Sequence, residues 1–200
     1  MATMRFALTL PTMLERAERF FPNKPIVSRI STGIFRYTYR ECGQRVRKLA
    51  SALADLGVRK GDRVATLAWN HHRHLEAYFA VPCLGAVLHT LNLRLPPAHL
   101  VHIINHAADK VILVDADLLP LLESIAPQLQ TVERYVVMGE DPQVSTVLPH
   151  SASYEQIVAA AAPMGPWPAL DEWDPAAMCF SSATTGLPKG VTYTHRALWL

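Results

Sequence analysis

Residues 181–190 read Ser-Ser-Ala-Thr-Thr-Gly-Leu-Pro-Lys-Gly and are the most informative part of the chain. Gly186 and Gly190 permit turns and a close approach of the backbone to a ligand, which a Cβ atom would block. The hydroxyls in this stretch are hydrogen-bond donors, and Lys189 carries a positive charge. An apolar, strand-like run at 176–180 comes directly before it, as is common for phosphate loops. The stretch therefore predicts a cradle for a polyphosphate at the end of a strand.

Two other interpretations of the loop are weaker. The Walker pattern requires Gly-Lys-Ser/Thr, whereas Lys189 follows Pro188 and precedes a glycine, so a P-loop kinase or GTPase is not predicted. A polar surface turn does not explain why four hydroxyls cluster beside a glycine and a Pro-Lys pair. These hydroxyls belong to Ser181, Ser182, Thr184 and Thr185.

Strand-like and helix-like segments alternate upstream of the loop. Apolar runs predict strands at 63–69, 86–90, 111–114 and 135–138. Apolar spacing, capping residues and a Pro-Pro pair predict four helices, which lie at about 38–56, at 70–80, after 96 and at 118–126. A shorter helix is predicted at 153–161. This alternation predicts an α/β fold with a mostly parallel sheet and covering helices. The chain divides into an α/β block at about 10–160, a Pro-rich excursion at 161–175, and a last unit at 176–200 with a strand, the loop and the start of the next helix.

Several helix boundaries have specific signals. Thr38-x-x-Glu41 fits a capping box, in which a hydroxyl and a carboxylate satisfy the free amides at a helix start. Asn70 is predicted to cap the following helix, and Pro82 is predicted to end it. Ser153 fits a third cap, and His195 is predicted to cap or begin the last helix.

Composition indicates a globular chain, with 50% hydrophobic and 18% charged residues among 200. The net charge of +2 is too small to favour nucleic-acid binding. The basic cluster at 40–48 is interpreted as the solvent-exposed face of a helix. Three cysteines far apart favour reduced thiols in a cytoplasmic protein, and Cys179 is expected to be buried. The sequence shows no secretory signal or apolar run suited to a membrane span, so a soluble protein is predicted.

Histidine clusters and a serine give weaker candidate sites. His71, His72 and His74 precede a helix, but their spacing does not converge on a metal, so a structural role is favoured. A second group, at 99, 102 and 106, shares a helix face and is interpreted as a polar face. Ser182 and His195 could join an aspartate in a hydrolase triad, but no Gly-x-Ser-x-Gly elbow is present.

Residues 180–191 read Phe-Ser-Ser-Ala-Thr-Thr-Gly-Leu-Pro-Lys-Gly-Val. They resemble the phosphate-binding signature of the AMP-forming adenylate enzymes, the superfamily of acyl-CoA synthetases, luciferases and peptide-synthetase adenylation domains. Four further segments are similar to its medium- or long-chain fatty acyl-CoA ligases, at 61–70, 85–95, 103–106 and 192–196. The resemblance covers nearly the whole chain, from about residue 10.

The resemblance implies the chemistry of an acid-thiol ligase. Such enzymes join a fatty acid to AMP from ATP, release pyrophosphate, and pass the acyl group to coenzyme A. The implied cofactors are ATP, Mg²⁺ and coenzyme A, with a hydroxyl of Ser181 as a metal ligand. No catalytic residue is assigned. The implied ATP contacts are Ser181, Ser182, Thr184, Thr185, Gly186 and Lys189.

The chain also departs from the pattern of the family. Ala183 replaces a glycine, which costs about 1 kcal/mol if that position needs a positive φ. Leu93 replaces a proline that is common in the fatty acyl branch. Family members are much longer, so the resemblance implies an incomplete large N-terminal AMP-binding domain over 1–200, without the C-terminal domain and without the adenine, ribose, coenzyme A and adenylation-lysine sites.

These observations predict that the chain derives from a ligase and that these 200 residues alone are inactive. The expected partners are small molecules, with no nucleic acid and no transmembrane segment; peripheral membrane contact and a homo-oligomer stay open. One alternative is a non-catalytic remnant with weak nucleotide or protein binding, and another is an adenylating enzyme for an aryl or amino acid. An unpaired sheet edge and uncovered apolar surface predict poor behaviour as an isolated chain.

Overall fold

The computed structural model describes residues 6–141, 145–181 and 188–200. Its helices are α1 (Leu10–Phe20), α2 (Tyr39–Asp55), α3 (His72–Cys83), α4 (Pro97–Ala107), α5 (Leu119–Ile125), α6 (Tyr154–Ala160) and α7 (His195–Trp199). Its strands are β1 (Pro25–Ile30), β2 (Gly33–Thr38), β3 (Arg63–Leu67), β4 (Val87–Thr90), β5 (Asp109–Asp115), β6 (Arg134–Met138), β7 (Ser151–Ser153), β8 (Pro175–Phe180) and β9 (Gly190–Thr194). Short 3-10 turns flank α5 at Ala116–Leu118 and Ala126–Gln128.

A seven-stranded sheet forms the centre of the fold, in the order β7-β6-β5-β3-β4-β8-β9. Neighbouring strands are parallel except for β8 and β9, which are antiparallel. The predicted α/β class and the mostly parallel sheet are therefore confirmed. Strands β1 and β2 form a separate antiparallel ribbon, which the sequence pattern did not predict.

Each face of the sheet is covered by helices. Helices α2, α3 and α6 pack on one face, while α4 and α5 pack on the other. Strands β3, β4, β5 and β6 are buried on both faces, which explains why they read as continuous apolar runs rather than as alternating ones. The first core includes Val46, Leu49, Leu53, Val64, Ala77, Leu88 and Leu113. The second core includes Leu67, Leu100, Ile104, Ile112, Val114 and Leu122.

The start of α2 was predicted correctly, but that of α3 was not. Thr38 and Glu41 form the expected capping box, with the Glu41 N–H donating to Thr38 Oγ1 and the Thr38 N–H donating to Glu41 Oε2. In α3 the cap is His71 rather than Asn70, because His71 Nδ1 accepts from the His74 N–H at 3.3 Å. Pro82 does not end α3. It is the penultimate helical residue, so its missing N–H removes only one helical hydrogen bond.

The basic cluster at 40–48 is not simply a solvent-exposed helix face, contrary to the interpretation of the sequence. Arg45 Nε donates to the fully buried carboxylate of Glu76 at 2.8 Å, and the Tyr154 hydroxyl donates to the other oxygen at 2.7 Å. Glu155 accepts from both Arg45 and Arg73. A buried carboxylate is costly unless it is paired and hydrogen-bonded. This network therefore ties α2, α3 and α6 together.

The burial of the cysteines follows the prediction in part. Cys42 and Cys83 are buried free thiols, but Cys179 is only half-buried, because it lies on β8 opposite the exposed strand β9. Of the helices within 6–141, 145–181 and 188–200, none is both long enough and apolar enough to span a bilayer.

Candidate phosphate-binding site

The antiparallel pair β8 and β9 brings both ends of the predicted phosphate loop together. Phe180 lies opposite Gly190, and the Ser181 N–H donates to the Lys189 carbonyl at 3.0 Å. In return, the Lys189 N–H donates to Ser181 Oγ at 3.1 Å. These two hydrogen bonds close the neck of the loop. Ser181 and Lys189 are therefore neighbours at the carboxyl end of β8, where an incoming ligand can reach both.

Of the six predicted ATP contacts, the structure describes the positions of Ser181 and Lys189. The positions of Ser182, Thr184, Thr185 and Gly186 lie outside the described residues, as does Ala183. Their roles, and the effect of the alanine on the loop, stay predictions.

The chemistry at the neck suits an anion. In the parts of the chain that the structure describes, no carboxylate lies within ion-pairing distance of the exposed ammonium of Lys189. Ser181 Oγ uses one lone pair to accept from the Lys189 N–H, which leaves the second for another partner. A hydroxyl oxygen with phosphate oxygens and water is a donor set that suits Mg²⁺, so the residues present fit the predicted metal.

The ring of Phe180 supports the neck from below. A Cβ atom on Gly190 would come within 3.0 Å of Phe180 Cζ, so the β9 backbone approaches this ring directly. His89 lies with its ring centroid 5.2 Å from that of Phe180, and His106 lies edge-on at 5.8 Å. Phe180, which precedes the loop, is therefore packed against His89 of β4, His106 of α4 and the backbone at Gly190.

Beneath Phe180 lies a buried polar pair that sequence reasoning missed. His89 Nδ1 and Asp109 Oδ2 are 2.7 Å apart, and both side chains are fully buried. Burial raises the pKa of Asp109, although the hydrogen bond from His89 acts in the opposite direction. Both residues were visible in the sequence as polar interruptions in or beside apolar runs. Their contact was not, because α4 separates them along the chain.

His71 and His74 make polar contacts with side chains of neighbouring strands. His71 Nε2 is 2.7 Å from Asp115 Oδ1, and His74 Nε2 is 3.0 Å from Thr66 Oγ1. Across residues 6–141, 145–181 and 188–200, no three His, Cys, Asp or Glu side chains are grouped as a metal site. His195 begins α7, as predicted. Its buried Nδ1 accepts from the Leu10 N–H at 3.3 Å.

A crevice of about 790 Å³ lies at the carboxyl ends of β3, β5 and β6. Helix α3 leaves β3 towards one face and α5 leaves β5 towards the other, which is where open α/β sheets commonly bind ligands. Its acidic groups are occupied internally: Asp115 accepts from the Trp69 N–H at 2.7 Å, and Asp117 accepts from Trp69 Nε1 at 2.9 Å.

Comparison with known proteins agrees with the signature at 180–191. The sequence profile described as AMP-binding enzyme matches residues 14–199. The chain belongs to the AMP-binding enzyme family.

Curated relatives in this family are acyl-CoA ligases. The chain is 49% identical to the long-chain-fatty-acid–CoA ligase of Thermus thermophilus over 96% of its own length and 34% of that protein. It is 39% identical to the medium-chain-fatty-acid–CoA ligase of Ectopseudomonas oleovorans over 97% of its own length and 36% of that protein. The chain thus spans about a third of the length of the curated relatives it matches, in their N-terminal portion.

Solved structures of acyl-CoA ligases share the fold. The anthranilate CoA ligase AuaEII, solved with anthranoyl-AMP, superposes with a TM-score of 0.85 at 26% identity, over 96% of this chain and 36% of that one. A fatty acyl CoA synthetase of Mycobacterium tuberculosis superposes with a TM-score of 0.78 at 25% identity, over 94% and 35%.

Proposed function

We propose that this chain is the N-terminal part of an ATP-dependent, AMP-forming fatty acyl-CoA ligase. The observation that carries the proposal is the neck formed by Ser181 and Lys189, at the end of β8 and within a sequence matched by the AMP-binding family. The identity of 49% to a long-chain fatty acid ligase favours a fatty acid as the substrate class.

The proposed role of the loop is to hold the pyrophosphate. When the carboxylate of the acid attacks the α-phosphate of ATP, negative charge builds on the leaving pyrophosphate. The Lys189 ammonium is an exposed positive charge at the neck, and the hydroxyls of the loop add hydrogen-bond donors. Groups that are already positioned towards developing charge lower the barrier without reorganising during the reaction.

ATP, Mg²⁺ and coenzyme A belong to the same proposal. Ser181 Oγ would supply one oxygen ligand to Mg²⁺, which neutralises phosphate charge when it is bound. The ATP contacts at Ser182, Thr184, Thr185 and Gly186 complete the cradle in this proposal. A cytoplasmic location and a homo-oligomer stay predictions.

A second candidate substrate class has its own support. The structural match to a ligase solved with anthranoyl-AMP, at 26% identity, favours an aryl acid. A panel of fatty and aryl acids, tested for acyl-AMP formation on the gene with its downstream sequence, separates the two classes. Activity with aryl acids alone would replace the fatty acid proposal.

Binding of pyrophosphate to the chain itself tests the role of the loop. We expect Lys189→Met to weaken the binding of pyrophosphate or Mg-ATP, measured by isothermal titration calorimetry, by about tenfold, because a charge-assisted contact is lost. Lys24→Met is the matched control, since it removes an exposed lysine on a different part of the molecule. Equal affinity of the Lys189 variant and the unmodified chain would contradict the proposed role.

A further inference from the structure

Two buried polar side chains meet across the middle of the sheet. His89 lies on β4 and Asp109 begins β5, and β3 lies between these strands in the sheet order. Both side chains are fully buried, and a hydrogen bond of 2.7 Å joins His89 Nδ1 to Asp109 Oδ2. Ala65 of β3 is the register partner of His89 and is also fully buried. Because register partners of parallel strands point to the same face, the small Ala65 side chain leaves space for the pair above β3.

Each member of the pair has a polar atom that the described chain does not satisfy. Neither His89 Nε2 nor Asp109 Oδ1 has a hydrogen-bond partner among the described residues. A buried polar atom without a partner costs free energy, and apolar residues of similar volume are often as stable as a buried polar pair or more so. The pair is explained if its directional hydrogen bond fixes an orientation that apolar packing would leave free.

The imidazole of His89 connects the pair to the neck of the phosphate loop. Its centroid lies 5.2 Å from that of the Phe180 ring, and the two ring planes are tilted by 45°. Phe180 is the last residue of β8, and the next residue, Ser181, donates its N–H across the neck to the Lys189 carbonyl at 3.0 Å. A different orientation of the His89 ring would therefore displace Phe180 and, with it, one side of the neck.

The ring of Phe180 has little freedom to absorb such a displacement. His106 of α4 lies edge-on to it at 5.8 Å, and a Cβ on Gly190 would come within 3.0 Å of Phe180 Cζ. Closely packed interiors transmit strain instead of absorbing it. A change at His89 should therefore reach the backbone of the neck.

We propose that His89 and Asp109 are positioning residues that fix the neck of the phosphate loop. Asp109 holds the His89 ring in one orientation, and this ring holds Phe180, so that Ser181 and Lys189 stay within hydrogen-bond distance of each other. Both side chains are fully buried, so neither touches the ligand in this role. The effect on pyrophosphate rests on the proposed function, whereas the geometry of the neck is measured without any ligand.

Replacing the pair by apolar residues separates positioning from stability. His89→Phe with Asp109→Leu keeps an aromatic ring beside Phe180 and leaves no unpaired polar atom behind. We therefore expect a urea midpoint equal to or above that of the unmodified chain. The new ring has no hydrogen bond to orient it, so the amides of Ser181 and Lys189 should exchange with deuterium about tenfold faster. Pyrophosphate should bind about tenfold more weakly in isothermal titration calorimetry.

Two single variants at Asp109 isolate the hydrogen bond. Asp109→Asn keeps an oxygen that can accept from His89 Nδ1, whereas Asp109→Leu has a similar volume and no acceptor. We expect Asp109→Asn to keep the exchange of the neck amides and the affinity for pyrophosphate within about twofold of the unmodified chain. Asp109→Leu should resemble the apolar pair. This comparison decides the question even if the apolar pair lowers the urea midpoint.

His74→Phe with Thr66→Val is the matched control. It replaces another buried polar pair, in which His74 Nε2 and Thr66 Oγ1 are 3.0 Å apart. His74 belongs to α3, which covers the face of the sheet opposite the core that contains Phe180. This control changes buried polar contacts without reaching the neck, so the neck amides and the affinity should stay as in the unmodified chain.

The outcomes distinguish this inference from the proposed function. Unchanged exchange of the neck amides in the apolar pair would overturn the positioning role, and so would equal exchange in Asp109→Asn and Asp109→Leu. If Lys189→Met weakens pyrophosphate binding while these variants leave the neck unchanged, the proposed function stands and the positioning role fails. If the unmodified chain binds no pyrophosphate while the variants still differ at the neck, the positioning role stands and the proposed function fails.

Discussion

At the scale of one residue, the burial of His72 makes the stability of the folded chain depend on pH. Its ring stacks on Phe35 with centroids 4.0 Å apart, and in the described structure its buried Nδ1 has no hydrogen-bond partner. Burial, and to a smaller degree the charges of Arg73 and Arg45, lower the pKa of His72 from 6.5 to about 3. The unfolded chain therefore binds a proton below pH 6.5 while the folded chain does not. Stability is complete above that pH and falls as the solution is acidified.

We expect His72→Phe to remove part of this acid sensitivity. A phenyl ring keeps the stacking on Phe35 and loses no hydrogen bond at Nδ1, so stability near neutral pH should change little. Between the unfolded pKa and about pH 5, the unmodified chain should lose about 1 kcal/mol more than the variant, allowing for screening by solvent. Urea unfolding at both pH values measures this difference. His150→Asn, at an exposed position, should not reproduce it, and an equal loss in His72→Phe would refute the assignment.

At the scale of elements, the hairpin β8–β9 sets the geometry of the neck. A Cβ on Gly190 would meet the Phe180 ring at 3.0 Å, and that ring is confined by His89 and His106. Gly190→Ala should therefore destabilise the chain by about 1–3 kcal/mol and weaken pyrophosphate binding together. Gly165→Ala is the matched control, because a Cβ there meets nothing within 4 Å and the chain only loses unfolded-state entropy. Unchanged melting temperature and affinity in the Gly190 variant would show that the ring is not confined.

The elements also show where sequence reasoning succeeds. Strands β3, β5 and β6 were predicted because strands buried on both faces read as continuous apolar runs. The ribbon β1–β2 was not, because its exposed face mixes valine and isoleucine with arginine, and its turn has no Asn-Gly signal.

The same distinction applies to the site. The loop was predicted from consecutive residues, and its role in binding stays a prediction, although a hydrogen bond joins Ser181 and Lys189 at its neck. The support beneath Phe180 was not predicted, because His89 and Asp109 meet only once α4 has folded over the sheet. Sequence patterns report local preferences, whereas this contact depends on the order of β4, β3 and β5 in the sheet.

At the scale of the whole molecule, β9 is an edge that invites association. In the described residues β9 pairs with β8 on one side and with no strand on the other, so a row of backbone N–H and C=O groups is open. Val191 and Tyr193 on this strand are 48% and 39% exposed. Exposed edge strands with apolar side chains pair with other chains, and charged side chains on the edge prevent this. We therefore expect the chain to self-associate as its concentration rises.

Substitution of the edge valine tests this expectation. Val191→Lys should reduce the weight-average mass in sedimentation velocity, whereas Val147→Lys, at a loop valine that is 83% exposed, should not. A chain that stays monomeric throughout, or that associates equally well with lysine at 191, would show that the β9 edge is already protected.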